Sequence, residues 1–347
     1  MPKSIRSRTA PRTRRAVYNR VLRPRPLGPG STFRVISPAS AGDREALSRG
    51  AAELERLRFR VQLTSPPMKP EGFFAGTVQG RVAEFADALR DPGTDALIGA
   101  RGGYGSAALL DGSGLSGAVT AKLVPKLLIG YSDITVLHAY LWARWRWTSL
   151  YGPMVAAGFD GGADRPGGYD LASFLNAVGE ECGGNVTRRR AARSPRGWTV
   201  ALGGETLVPG NASGVVLGGC LTLLQTTLGT PWEIDTRGAI LILEDRGVKP
   251  YQLDRMLVHL AQAGKFRGVR GIVLGEFPDC DPPHNSAVTV RDVCRRVLGG
   301  LHVPVTFGAA IGHTPRPIRT VPLGVRARLL AAGEGKLEIL EPAVSSK

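Results

Sequence analysis

The sequence is poor in cysteine. It holds four in 347 residues, Cys182, Cys220, Cys280 and Cys294, with no C-x-x-C pair and no histidine at a zinc-finger spacing. That argues against a small disulfide-stapled domain and a structural zinc site, and the expectation is reduced thiols. Long apolar runs are missing as well. Each is broken by Gly, Lys or Asp before the ~18 residues that a membrane-spanning helix needs. The 46 glycines and 25 prolines follow no G-X-Y period, which excludes collagen. Acidic residues are absent from two segments. Residues 1–26 carry nine Lys or Arg and no acid, and Arg188, Arg189, Arg190, Arg193 and Arg196 form a second such cluster. Outside these segments 31 basic residues face 29 acidic ones, so the net charge of +16 belongs to a tail and a loop. The body is near neutral, which argues against a nucleic-acid-binding surface. Arg14-Arg15 is not followed by the apolar stretch of about 7–15 residues of an export signal, because Asn19, Arg20, Arg23 and Arg25 interrupt it. The expected compartment is the cytoplasm.

What is there is a chain that is 43% hydrophobic and long enough for two domains. Residues 1–30, rich in Arg, Pro and Ser, read as a disordered basic extension. Residues 31–159 alternate short apolar strands with amphipathic helices. Strand signals lie at Phe33–Ile36, Phe59–Leu63, Ala96–Ile98 and Lys126–Ile129, and Asp43 is placed to cap the first helix. Buried runs of this kind point to a parallel sheet with helices on both faces, whose sites lie at the carboxyl ends of the strands. Residues 160–200 have little periodicity and read as an interdomain linker. Residues 201–347 read as a second body, with buried strands at Ala239–Leu243 and Ile272–Leu274 and β-hairpins from Ile318 to Leu340.

Four places carry chemistry. Gly130-Tyr131-Ser132-Asp133 stands where a buried strand becomes a helix, a turn that exposes a serine hydroxyl beside a free helix-terminal N–H. The G-x-S-x-G pattern is incomplete, since Ile134 replaces the second Gly, and Ser132 or Asp133 could equally be a helix cap. Residues 101–106 form a Gly-rich turn. Gly103 to Ala108 fits G-x-G-x-x-A, but a dinucleotide site also wants an acid about 20 residues on, where this chain has Gly130-Tyr131-Ser132. The same glycines could let backbone N–H groups approach an oxyanion. Glu244 and Asp245 close a buried strand, and either could orient a histidine or simply cap or pair with Arg246. Of five histidines, His313 follows a small-residue strand end that leaves room around an imidazole, whereas His138 and His259 lie within helices.

Seven pieces in this order resemble the LD-carboxypeptidase family, the serine peptidases of the S66 type. They are Ser37-Pro38-Ala39, Ala100 to Gly105, Gly130 to Thr135, Leu228-Gly229-Thr230-Pro231, Leu243-Glu244-Asp245, Pro250-Tyr251 with Asp254 to Leu257, and Gly312-His313. The resemblance spans about residues 32 to 342. It implies a Rossmann-like, parallel-sheet nucleophile domain followed by a smaller α/β, β-rich domain, with a triad split between them. Ser132 would be the nucleophile, His313 the base and Glu244 the group orienting it. The N–H groups of Asp133 and Gly103 would form the oxyanion hole. The implied substrate is a murein tetrapeptide, cut at the L,D-bond before its terminal D-alanine in peptidoglycan recycling. The resemblance also implies no metal, no cofactor and a homodimer, although no stretch marks an interface. Where the family often has Asn after a paired Gly, this chain has Gly218-Gly219-Cys220, and a thiol does not replace the amide's hydrogen bonding.

Two other readings compete. Relatives of the same fold and triad hydrolyse microcin-type aminoacyl-nucleotide antibiotics. A non-catalytic nucleotide- or nucleic-acid-binding protein would use the Gly-rich turn and the basic tail, and would bind in a steeply salt-dependent way.

Overall fold

The computed structural model describes residues 20–63, 70–110, 114–115, 123–179 and 197–345. The first half contains β1 (Thr32–Ile36), α1 (Arg44–Arg56), β2 (Arg60–Gln62), α2 (Val78–Arg90), β3 (Ala96–Gly99) and β4 (Leu127–Gly130). A 3-10 turn at Ser132–Ile134 leads into α3 (Thr135–Trp145), followed by β5 (Ser149–Tyr151) and α4 (Leu171–Val178). The second half contains β6 (Trp198–Ala201), β7 (Glu205–Val208), β8 (Gly210–Cys220), α5 (Leu221–Thr226), β9 (Ala239–Glu244) and α6 (Pro250–Gln262). It ends with β10 (Gly271–Gly275), α7 (Val290–Leu298), β11 (Val305–Ala309), β12 (Val321–Leu323), β13 (Arg326–Ala331) and β14 (Lys336–Ile339).

The strands form two sheets. The first has the order β12-β5-β4-β3-β1-β2, parallel throughout except for β12, and so has the Rossmann-like character expected. Its inner strands β3 and β4 are buried along their whole length, as runs covered on both faces must be. The second sheet has the order β6-β14-β13-β8-β9-β10-β11-β7. Its centre, β8 to β11, is parallel and its flanks are antiparallel. The mixed α/β class holds, but the second body is not the smaller one in sheet size, having eight strands against six.

Helix α1 forms where its sequence says it should. The Asp43 side chain accepts from the Ala46 N–H at 2.8 Å, and Ala46, Gly50, Ala51 and Leu54 face inward. Gly50 is required by contact, since a Cβ there would lie 1.9 Å from the Val155 carbonyl oxygen.

Three boundaries differ from those read in the sequence. Residues 20–30 are not part of a disordered extension. Leu22 bridges to Trp147, Leu27 is 2% exposed with its N–H on the Val178 carbonyl, and Arg23 pairs with Glu341 at 2.7 Å. Two leucines in an arginine-rich stretch suffice to dock it, and composition averages them away. The stretch 160–200 is not simply a linker. Tyr169 and Phe174 are fully buried beside Phe159 in the core of the first body, α4 lies against its sheet, and β6 is an edge of the second sheet. Thirdly, β12 does not join a hairpin of the second body. It crosses back and pairs antiparallel with β5 in the first sheet. The Arg-rich cluster 188–196 and Cys182 lie outside the described residues.

Candidate active site

The serine turn is built by β4. Its last residue, Gly130, would drive a Cβ to 2.9 Å from Ile134, so only glycine lets the chain fold back this tightly. Tyr131 is still extended, and Ser132 then takes φ +60°, the left-handed region that a side chain enters at a cost of about 1–2 kcal/mol. Neither Ser132 nor Asp133 caps the following helix with its side chain. The Asp133 carboxylate is buried and accepts the Ser106 N–H at 2.7 Å, tying the serine turn to the Gly-rich turn. Burial pushes its carboxyl up, against the opposing pull of Ser106 and the Arg81 guanidinium. Asp133 lies in the first turn of the 3-10 segment, where backbone N–H groups lack partners within a helix.

The Gly-rich turn packs directly on the serine. A Cβ on Gly102 would sit 2.8 Å from Ser132 Cβ and 2.9 Å from its Oγ. Gly103 has φ +111°, and a Cβ there would meet Ser40 Oγ at 2.4 Å. Ser40 Oγ also receives the Tyr104 N–H at 3.1 Å. Behind the turn, the fully buried Arg81 donates to the carbonyls of Gly76 (3.1 Å), Gly105 (2.9 Å) and Pro38. It thereby clamps the ends of β1 and β3 together, where the strand order reverses and open α/β sheets form their crevice.

The second sheet supplies the carboxylate and the imidazole. Glu244, the last residue of β9, is wholly buried. Its Oε2 accepts both the backbone N–H of His313 at 2.9 Å and the ring Nδ1 at 2.8 Å. Its Oε1 accepts the Tyr151 hydroxyl at 2.5 Å. Space for this carboxylate comes from Gly275 and Gly312, whose Cβ atoms would lie 2.6 Å and 2.4 Å from Glu244 atoms. With Nδ1–H given to the carboxylate, Nε2 is left as the acceptor nitrogen. Burial lowers the affinity of His313 for a proton, but the charge and hydrogen bond of Glu244, with Asp245, outweigh it and leave the imidazole above its ordinary 6.5. The edge of the Tyr131 ring packs against the His313 ring, centroids 5.1 Å apart and planes at 81°. The residue preceding Ser132 therefore touches the imidazole of the other body.

The structure also separates residues that the sequence left equivalent. Asp245 accepts from the Thr222 N–H and hydroxyl at 2.8 and 2.7 Å, bracing α5 rather than the histidine. The Arg246 side chain pairs with Asp279 at 2.7 Å, not with Asp245. His138 is a core residue between Ser149 Oγ and the Gly130 carbonyl, and burial lowers it to about 4. His259 bonds Gln225 at the surface. Cys220 is buried with its N–H on Thr135 Oγ1 at 3.0 Å, and burial raises its thiol. Tyr151 and Arg81 were not legible as site residues. Tyr151 ends a strand of only three residues, too short to register as a periodic pattern. Among the described residues no three of His, Cys, Asp and Glu gather to hold a metal ion, and no helix is long and apolar enough to cross a membrane.

A strained serine at a strand end, next to a tyrosine that packs on a carboxylate-held imidazole from a second sheet, defines a class: a two-domain α/β protein with a candidate site where its two sheets meet. The particular family follows from comparison. The chain belongs to the LD-carboxypeptidase family, with residues 33–152 matching the LD-carboxypeptidase N-terminal domain and residues 213–329 the C-terminal domain. It is 33% identical over 333 residues to a Bacillus subtilis protein named probable murein peptide carboxypeptidase, covering 95% of this chain and 98% of that one. It is 28% identical over 326 residues to the microcin C7 self-immunity protein of Escherichia coli, covering 87% and 91%. Among solved structures, the muramoyltetrapeptide carboxypeptidase of Oxalobacter formigenes superposes with a TM-score of 0.73 at 26% identity, over 90% of this chain and 99% of that one.

Proposed function

We propose that the protein is a serine-type LD-carboxypeptidase of the cytoplasm that removes the terminal D-alanine from murein tetrapeptides during peptidoglycan recycling. The observation that carries this reading is the Glu244–His313 pair, with both the ring and the backbone N–H of His313 on one buried carboxylate, beside the Ser132 turn. The murein peptide named for the Bacillus subtilis relative supports the substrate class.

In this mechanism His313 Nε2 takes the Ser132 hydroxyl proton as Oγ attacks the carbonyl carbon before the terminal D-alanine. The N–H groups of Asp133 and Gly103 receive the developing oxyanion. The C–N bond then breaks, and His313 returns the proton to the leaving amine. Water, activated by the same imidazole, attacks the acyl ester and releases Ser132. Glu244 stabilises the imidazolium each time it forms. No metal or cofactor enters these steps.

The test is D-alanine release from a murein tetrapeptide by the purified protein, with Ser132→Ala beside it. Release by the wild type that is lost in the variant upholds the reading, and release unchanged by the substitution overturns the nucleophile assignment. A second reading, hydrolysis of an aminoacyl nucleotide, draws on the similarity to the microcin C7 self-immunity protein, and an aminoacyl sulfamoyl adenosine probe separates the two.

A further inference from the structure

Among the buried polar groups that the proposed triad does not use is the hydroxyl of Tyr151. Tyr151 is fully buried at the end of β5, in the first sheet, yet its O–H donates to Glu244 Oε1 at 2.5 Å in the second. The same oxygen accepts the backbone N–H of Ser132 at 3.3 Å. One hydroxyl therefore touches the carboxylate that holds the imidazole and the backbone of the strained serine. The position is tightly determined. The ring packs against Gly219, where a Cβ would approach it to 3.0 Å, and against Tyr131 and His138 at centroid distances of 6.4 and 6.0 Å.

We propose that Tyr151 is a positioning residue that couples the two halves of the site, holding the Ser132 turn in its left-handed conformation and tuning the carboxylate that governs His313. The inference rests on the site reading given above. Two physical arguments support it. A hydroxyl accepting the Ser132 N–H holds a backbone conformation that serine otherwise avoids. A phenol donating to one oxygen of a buried carboxylate withdraws negative charge from the other, the oxygen facing His313 Nδ1. Removing that donor strengthens the carboxylate's hold on the imidazolium.

The charged and titratable groups that bear on this pair lie on several elements. His313 feels Glu244, Asp245 and Arg246. Tyr151 feels Glu244 and Cys220 as well as the Thr135 hydroxyl. His138 stands behind its ring. Among the described residues, only Glu244 contacts both Tyr151 and His313 through hydrogen bonds.

The experiment follows the titration of His313 by NMR in the substrate-free full chain, in the wild type, in Tyr151→Phe, and in protein carrying 3-fluorotyrosine at position 151, whose more acidic phenol is the stronger donor. The midpoint is expected to rise in Tyr151→Phe and to fall with fluorotyrosine. Alongside, kcat for D-alanine release should drop at least roughly ten-fold in Tyr151→Phe, the scale of a hydrogen bond to a charged group, with KM little changed. A merely structural role would lower the folded fraction without moving the two midpoints in opposite directions. An unchanged midpoint in both proteins, or shifts of the same sign, overturns the proposal. If Tyr151→Phe does not fold, the fluorotyrosine protein decides alone. Because the titration needs no substrate, failure of the wild type to release D-alanine counts against the proposed reaction and not against this coupling.

Discussion

At the scale of single residues, His313 and His138 illustrate opposite outcomes of burial. Both imidazoles are enclosed, but only His313 faces a carboxylate. Its folded proton affinity is raised above the ordinary 6.5, so its stabilising contribution is complete below about 6.5 and fades as the pH rises through the folded value. The base form needed for the proposed attack therefore appears only above that value, and the acid limb of kcat/KM is expected above 6.5. Glu244→Gln leaves burial as the dominant influence, so the His313 midpoint should fall below 6.5, as an NMR titration would reveal. His138 runs the other way. Lowered to about 4, it contributes stability above pH 6.5 that is lost as the pH falls from 6.5 towards 4, and urea melts across that window should follow this slope. In His138→Asn the slope should become shallower by the His138 share. Gly102→Ala is a further residue-scale test. Its Cβ would press within 3 Å of Ser132, so activity should fall by an order of magnitude or more while the thermal midpoint changes little.

At the scale of elements, what could be read was whatever local chemistry dictates. Helix α1 was legible because its cap is local, with Asp43 three residues before the amide it receives. Asp43→Ala should cost about 1 kcal/mol in a urea melt. The buried strands β3, β4, β9 and β10 were legible from their uninterrupted apolar runs. The serine turn was legible as a position but not as a structure. Nothing in Gly130 to Asp133 reveals that the Asp133 carboxylate reaches 27 residues back to the Ser106 N–H. That bond joins the two elements proposed to flank the oxyanion. Asp133→Ala should therefore loosen the Gly-rich turn, and faster amide exchange at Tyr104 to Ser106 is the expected sign.

At the scale of the molecule, the two bodies are interleaved rather than strung together. Strand β12 comes from the second half yet completes the first sheet, and Ala343 and Val344 join the first body's core. A fragment ending at residue 179 thus lacks an edge strand and core residues, and it should fail to give a cooperative thermal transition where the full chain gives one. The stretch at 20–30 belongs to the same body. Leu27→Ala should cost about 2–5 kcal/mol in a chemical melt, the range for emptying a buried leucine site, although its neighbours in sequence read as a solvated tail.

By itself, the sequence determined the fold class, the buried strands and the capped helix, because strand burial and capping are governed by residues close in the chain, and its family resemblance singled out Ser132, Glu244 and His313 as candidates. Tertiary structure alone decided that Tyr151 joins the two bodies and that β12 returns to the first sheet. Those contacts span 93 and about 170 residues of chain, and at such separations only packing, not local preference, determines which groups meet.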